Sequence, residues 1–103
     1  MIGMPSTVKV GPHVYSILRL PKKQMEGDLG SCDFTTLTIR VRSGLRKSKS
    51  REILLHEVLH ATTHPSVCDE KPMLDEEFVT AVSPVLLQVL QENPSFVEYL
   101  TSN

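Results

Sequence analysis

The chain has no tryptophan, only two cysteines and just 5% aromatic residues. Cys32 and Cys68 are too few for a disulfide framework, so a small secreted, stapled fold is excluded and a reduced state is expected. No apolar run approaches the ~18 residues needed to cross a bilayer. The opening MIGMPSTVKV has neither an apolar signal stretch nor a small-residue cleavage site, so a cytoplasmic location is expected. Sustained heptads are also missing, which removes the coiled coil. What remains, at 103 residues with 40% hydrophobic and 22% charged, is one globular domain with a modest core, residues 1–103.

Charge is nearly balanced overall at -1 but unevenly spread. Residues 1–51 hold ten Lys/Arg against three acids, a balance of +7. Residues 52–103 hold one base, Lys71, against nine acids, a balance of -8. The densest basic run, RVRSGLRKSKSR, contains Arg40, Arg42, Arg46, Lys47, Lys49 and Arg51. Such a run suits nucleic acid or an acidic partner, but a solvated strand end and loop is its commoner meaning.

The pattern changes along the chain from period two to period 3.6. VYSILRL (Val14 to Leu20) reads as a strand ended by Pro21, and PKKQMEGDLGS as a turn-rich connection. FTTLTIRVR reads as a half-buried strand, with Leu37, Ile39 and Val41 on one face and Thr38, Arg40 and Arg42 on the other. SGLRKSKS is a polar connection whose Ser48 or Ser50 would cap a helix starting near Arg51 and running to about Thr63. Leu54, Leu55, Val58, Leu59 and Ala61 should form its apolar face. A second helix should span about Leu74 to Gln91 with Val79, Val82, Leu86 and Val89 as its stripe, despite Pro84, which in a helix interior costs ~3 kcal/mol. SFVEYL is a short terminal helix. Strands first and helices after imply an α+β fold, a small N-terminal antiparallel sheet (1–47) packed on a mostly helical half (48–103).

The string His56-Glu57-Val58-Leu59-His60 carries the chemistry. Residues four apart in a helix share a side, so His56 and His60 can aim two imidazoles at one point, and Glu57 lies about 100° round from His56. This is the arrangement of zinc hydrolysis. Two neutral imidazoles and a third ligand hold Zn²⁺, an open position keeps a water, and an adjacent carboxylate takes its proton as it attacks a carbonyl. On a helical wheel Leu54, Leu55, Val58 and Leu59 fall nearly opposite both histidines.

Three acids at the start of the next helix, Asp75, Glu76 and Glu77, are the candidates for third ligand, and helical projection does not choose between them. Acids in a first helical turn also serve the helix dipole alone. His64 extends the histidine series but precedes Pro65, which favours a loop or an orienting role. Cys68 can ligate zinc but reads more simply as a loop cysteine, and Cys32 as structural. Tyr15 and Tyr99 can donate to an oxyanion, although core packing is the simpler role for each.

The strand FTTLTIRVR, the helix ILLHEVLHATTH, the acidic DEEFV and the ending LLQVLQENPSFVEYL together resemble small, mostly phage or prophage-encoded HExxH proteins related to the ImmA/IrrE-type zinc metallopeptidases and the minigluzincins. The resemblance spans about Gly30 to Leu100, and HEVLH and the ENP-containing tail are its most specific parts. It implies a zincin-like minimal domain in which His56 and His60 are ligands, Glu57 is the general base, and a glutamate on the following helix, best matched by Glu77 with Glu76 second, completes the site. It also implies that the tail SFVEYLTSN can block the cleft, although packing on the core is the commoner fate of such a segment. For a phage-encoded chain the location is the host cytoplasm.

The leading expectation is therefore a zinc-dependent metallopeptidase acting on a peptide or protein, presented along the edge of the FTTLTIRVR strand. The alternative is a catalytically silent, zinc-stabilised interaction protein that binds a protein partner, or nucleic acid through residues 40–51.

Overall fold

The computed structural model describes residues 3–63 and 76–102, with backbone alone for 76–79. Its elements are β1 (Thr7–Val10), β2 (His13–Leu20), a 3-10 turn (Lys22–Gln24), β3 (Gly30–Asp33), β4 (Thr38–Arg42), α1 (Lys47–Thr63), α2 (Glu76–Glu92) and α3 (Pro94–Thr101). The α+β class is as expected, but the sheet is mixed. Strand order is β1-β2-β4-β3, with β1 and β3 antiparallel to their neighbours and β2 parallel to β4. The expected antiparallel sheet is thus corrected. A parallel pair needs a crossover of a dozen or more residues, and residues 21–37 supply it by carrying the chain out to β3 before β4 returns to the middle.

Local chemistry sets the strand ends. β1 and β2 form a two-residue hairpin in which Val10 faces His13 across Gly11-Pro12. Gly11 has a φ of 59°, and Pro12 is confined to negative φ, the combination of a type II′ turn whose twist suits the hairpin. Strand β1 itself went unread in the sequence. At the other end, β4 begins at Thr38 rather than Phe34. The Asp33 carboxylate accepts the Thr35 and Thr36 backbone N–H groups at 2.9 and 3.0 Å and folds 34–37 into a turn, with Leu37 at a φ of 53°. Leu37 is consequently only half-buried and does not continue the row of Ile39 and Val41.

One sheet face is dry. Val8, Val10, Tyr15, Ile17, Ile39 and Val41 meet Ile53, Leu54, Val58 and Ala61 of α1, with Val89 of α2 and Phe96 and Tyr99 of α3 completing the core. The buried tyrosines accord with a packing role, and Phe96 and Tyr99 place the C-terminal segment in the core. Helix α1 starts at Lys47, so Ser48 and Ser50 lie inside it, and Ser50 is buried. Pro84 sits within α2. Both Pro84 and Thr80, whose carbonyl it leaves without a helical donor, are exposed.

The two sheet edges differ. Along β1, Asn93 accepts the Lys9 N–H at 2.8 Å and donates to the Lys9 carbonyl at 2.9 Å, while Gln88 accepts the Gly11 N–H at 2.8 Å. These amides close that edge as another strand would. Strand β4 lies in the interior, so the edge expected there for a substrate does not exist; β3 forms the second edge. Replacing Asn93 by Ala should cost about 1–3 kcal/mol in a urea titration, because the Lys9 N–H loses its partner and the Lys9 carbonyl keeps only the Gln88 amide at 3.1 Å. Unchanged stability would show that water replaces the amide at no cost.

Candidate metal centre

Helix α1 buries Ser50, Ile53, Leu54, Glu57, Val58, Ala61 and Thr62, the spacing of a single face laid on β3 and β4. This turns His56 and His60 outward, and both are exposed. Leu55 and Leu59, expected on the buried side, are 39% and 38% exposed. They stand one residue before each histidine and share its side of the helix. Glu57, rather than Leu55 or Leu59, occupies the buried face.

The two imidazoles converge. Their centroids are 4.7 Å apart, the rings are inclined at 73°, and Nε2 of His56 lies 3.1 Å from Nε2 of His60. Two nitrogens each about 2.0–2.1 Å from one zinc ion and 3.1 Å from each other subtend roughly 100° at the metal, close to tetrahedral. The pair fits two positions of a zinc shell. In the absence of an ion the same contact is a hydrogen bond from one ring's N–H to the other ring's lone pair.

Glu57 lies beneath the histidines with 6% exposure. Burial pushes its carboxyl above the usual range, the charges of His56 and His60 pull it down, and Asp28 raises it further. Its carboxylate accepts no hydrogen bond among the described residues, and no fully buried side-chain oxygen there lacks a partner, so its tip retains contact with water. Gly30 makes this placement possible. A Cβ at Gly30 would stand 2.5 Å from Ile53 Cγ2 and 3.0 Å from Glu57 Oε2. Two residues along β3, burial pushes the Cys32 thiol up to about 11, with further contributions from Glu57 and Asp33.

Among the described residues no group of three or more His, Cys, Asp or Glu can hold a metal ion. His64, Cys68 and Asp75 lie outside those residues, and so do the side chains of Glu76 and Glu77, whose backbone opens α2. The basic run does not form one face. Arg40 and Arg42 alternate with the buried Ile39 and Val41 and therefore point away from α1, whereas Lys47, Lys49 and Arg51 lie on it. Arg42 donates to the Asp28 carbonyl at 3.3 Å, and Lys49 pairs with Glu52 at 2.8 Å. No helix among the described residues is long and apolar enough to cross a membrane.

Gly30 escaped sequence reasoning because it read as turn punctuation; a glycine opening a strand also marks a close approach of backbone to another group. Asn93, read as a helix breaker, gave no sign that it would bond β1. No protein-family model, curated protein or solved structure matches this chain.

Two outcomes follow from this geometry. Gly30→Ala should lose about 1–3 kcal/mol in chemical denaturation, since Ile53 and Glu57 must both move; a neutral result would contradict the tight β3–α1 contact. In a Cys68→Ser background at pH 8, Cys32 should alkylate about 100-fold more slowly in the folded than in the urea-unfolded protein, because far less of it is thiolate. Its raised pKa also means that the associated stability is intact below about pH 9 and declines as pH rises toward 11. Equal alkylation rates would refute the assignment.

Proposed function

We propose that this chain is a zinc-dependent metallopeptidase with a zincin-like active site, in which His56, His60 and Glu77 hold the ion and Glu57 is the general base. Glu76 is the second choice for the third ligand. The observation that carries the reading is the 3.1 Å convergence of the two Nε2 atoms on a helix whose intervening Glu57 is buried with a wet tip. Zinc, when bound, supplies a Lewis acid that polarises the scissile carbonyl and acidifies a water. Glu57 accepts a proton from the attacking water and passes it to the leaving amide nitrogen. Its burial suits the first half of that work, because a carboxyl held above its usual range is a stronger base toward the attacking water.

The substrate is a peptide or protein segment in extended form. Strand β3 is the edge beside Glu57, since the amides of Gln88 and Asn93 occupy the β1 edge, and an added strand there passes the catalytic helix. The working location is the cytoplasm, that of the host where the gene is carried by a phage.

A second reading keeps the ion but not the turnover, with Leu55 and Leu59 serving a protein partner beside the histidines; their exposure favours it. A quenched-fluorescence peptide library separates the two. The wild-type, zinc-loaded chain should cleave members of the library, and Glu57→Gln should keep its zinc while losing at least about 100-fold in kcat/KM. Turnover surviving Glu57→Gln would refute the base assignment, and zinc binding without any cleavage would favour the second reading.

A further inference from the structure

Away from the histidines, a cavity of about 300 Å³ opens where the start of α1 meets the end of β2 and the side of α3. Arg19, Leu45, Lys47, Ser50 and Tyr99 line it. Its charge is one-sided. Arg19 and Lys47 have no ion-pair partner among the described residues, and Arg51 lies close by, donating to the Tyr99 carbonyl at 3.0 Å with its guanidinium 5.7 Å from the Tyr99 ring centre. The first turn of α1 contains no acid. A helix start carries partial positive charge and amides without helical partners, so lysines there oppose the dipole rather than complement it.

Ser50 adds an independent observation. It is 3% exposed, and its hydroxyl makes no hydrogen bond among the described residues. Since no fully buried side-chain oxygen there lacks a partner, that oxygen opens onto the cavity it lines. The fold thus gathers around one hollow a hydroxyl donor and two cations that have no ion-pair partner among the described residues.

We infer that this cavity is a binding site for a phosphate group, held by Arg19, Lys47 and the Ser50 hydroxyl beside the first turn of α1. A tetrahedral oxyanion offers acceptors to all of these donors at once and reverses the unfavourable charge at the helix start. The group is either inorganic phosphate or the phosphate of a nucleoside monophosphate, whose remainder has room against Leu45 and Tyr99. The site is independent of zinc and of the proposed peptidase activity.

The test is an NMR titration of the ¹⁵N-labelled chain with sodium phosphate and, separately, with AMP, each at constant ionic strength made up with chloride. Saturable shifts of the Ser48, Lys49 and Ser50 amides are expected. Affinity should fall about tenfold or more in Arg19→Gln/Lys47→Gln, a loss of 1.4 kcal/mol or more, and severalfold in Ser50→Ala. Both cations are exposed, so the double variant should keep the wild-type far-UV circular dichroism spectrum; Ser50→Ala tests the site without altering charge. Equal affinity for the two probes identifies free phosphate, and tighter AMP binding identifies the nucleotide. Shifts no larger than those produced by chloride, or affinity unchanged in both variants, would overturn the site.

Discussion

The close contact between β3 and α1 is the constraint on which the remaining geometry depends. Gly30 has no side chain, and into the space where one would stand come Ile53 Cγ2 and the carboxylate of Glu57. That contact fixes the rotation of α1 about its axis. With Glu57 pointing down at the sheet, His56 and His60 can only point out and to one side, one helical turn apart. The hydrophobic face follows from the same rotation, with Leu54 and Val58 fully buried and Leu55 and Leu59 left at the surface. A charged residue thus occupies a core position, and the free energy this costs is tolerable because its tip remains wet.

The sheet gives this arrangement two unlike edges. Asn93 and Gln88 bond the backbone of β1 as a fifth strand would, which both secures the junction of α2 with α3 and removes a site for unwanted pairing. The other edge, β3, lies beside Glu57. Its thiol, Cys32, is held protonated by the same burial that raises the Glu57 carboxyl.

Much of this was legible in the sequence, and the parts that were not have specific causes. The α+β class, strand β2, both long helices and the terminal helix followed from hydrophobic period, and the histidine pair followed from its i, i+4 spacing. Strand direction was not legible, because a parallel pair depends on where the chain goes between β2 and β4, and β3 is only four residues of GSCD without alternation. The start of β4 was misplaced because Asp33 bonds two amides ahead of it, a local competition that overrides the β-propensity of Thr35 and Thr36. The helical wheel was turned wrongly because hydrophobicity alone assigned Leu55 and Leu59 to the core and Glu57 to water. Gly30 on a neighbouring strand decided otherwise, and no reading of α1 in isolation contains that information. The third ligand is a similar case, since projection treats Asp75, Glu76 and Glu77 alike and only the family resemblance ranks Glu77 first.

The proposed site requires that His56 and His60 be two ligands of one zinc ion rather than a hydrogen-bonded pair on a helix surface. Elemental analysis of untagged protein, dialysed after incubation with zinc, tests this most directly. About one zinc per chain is expected, and none in His56→Ala/His60→Ala. A wild-type chain that retains no metal, or a double variant that retains as much as the wild type, would contradict it.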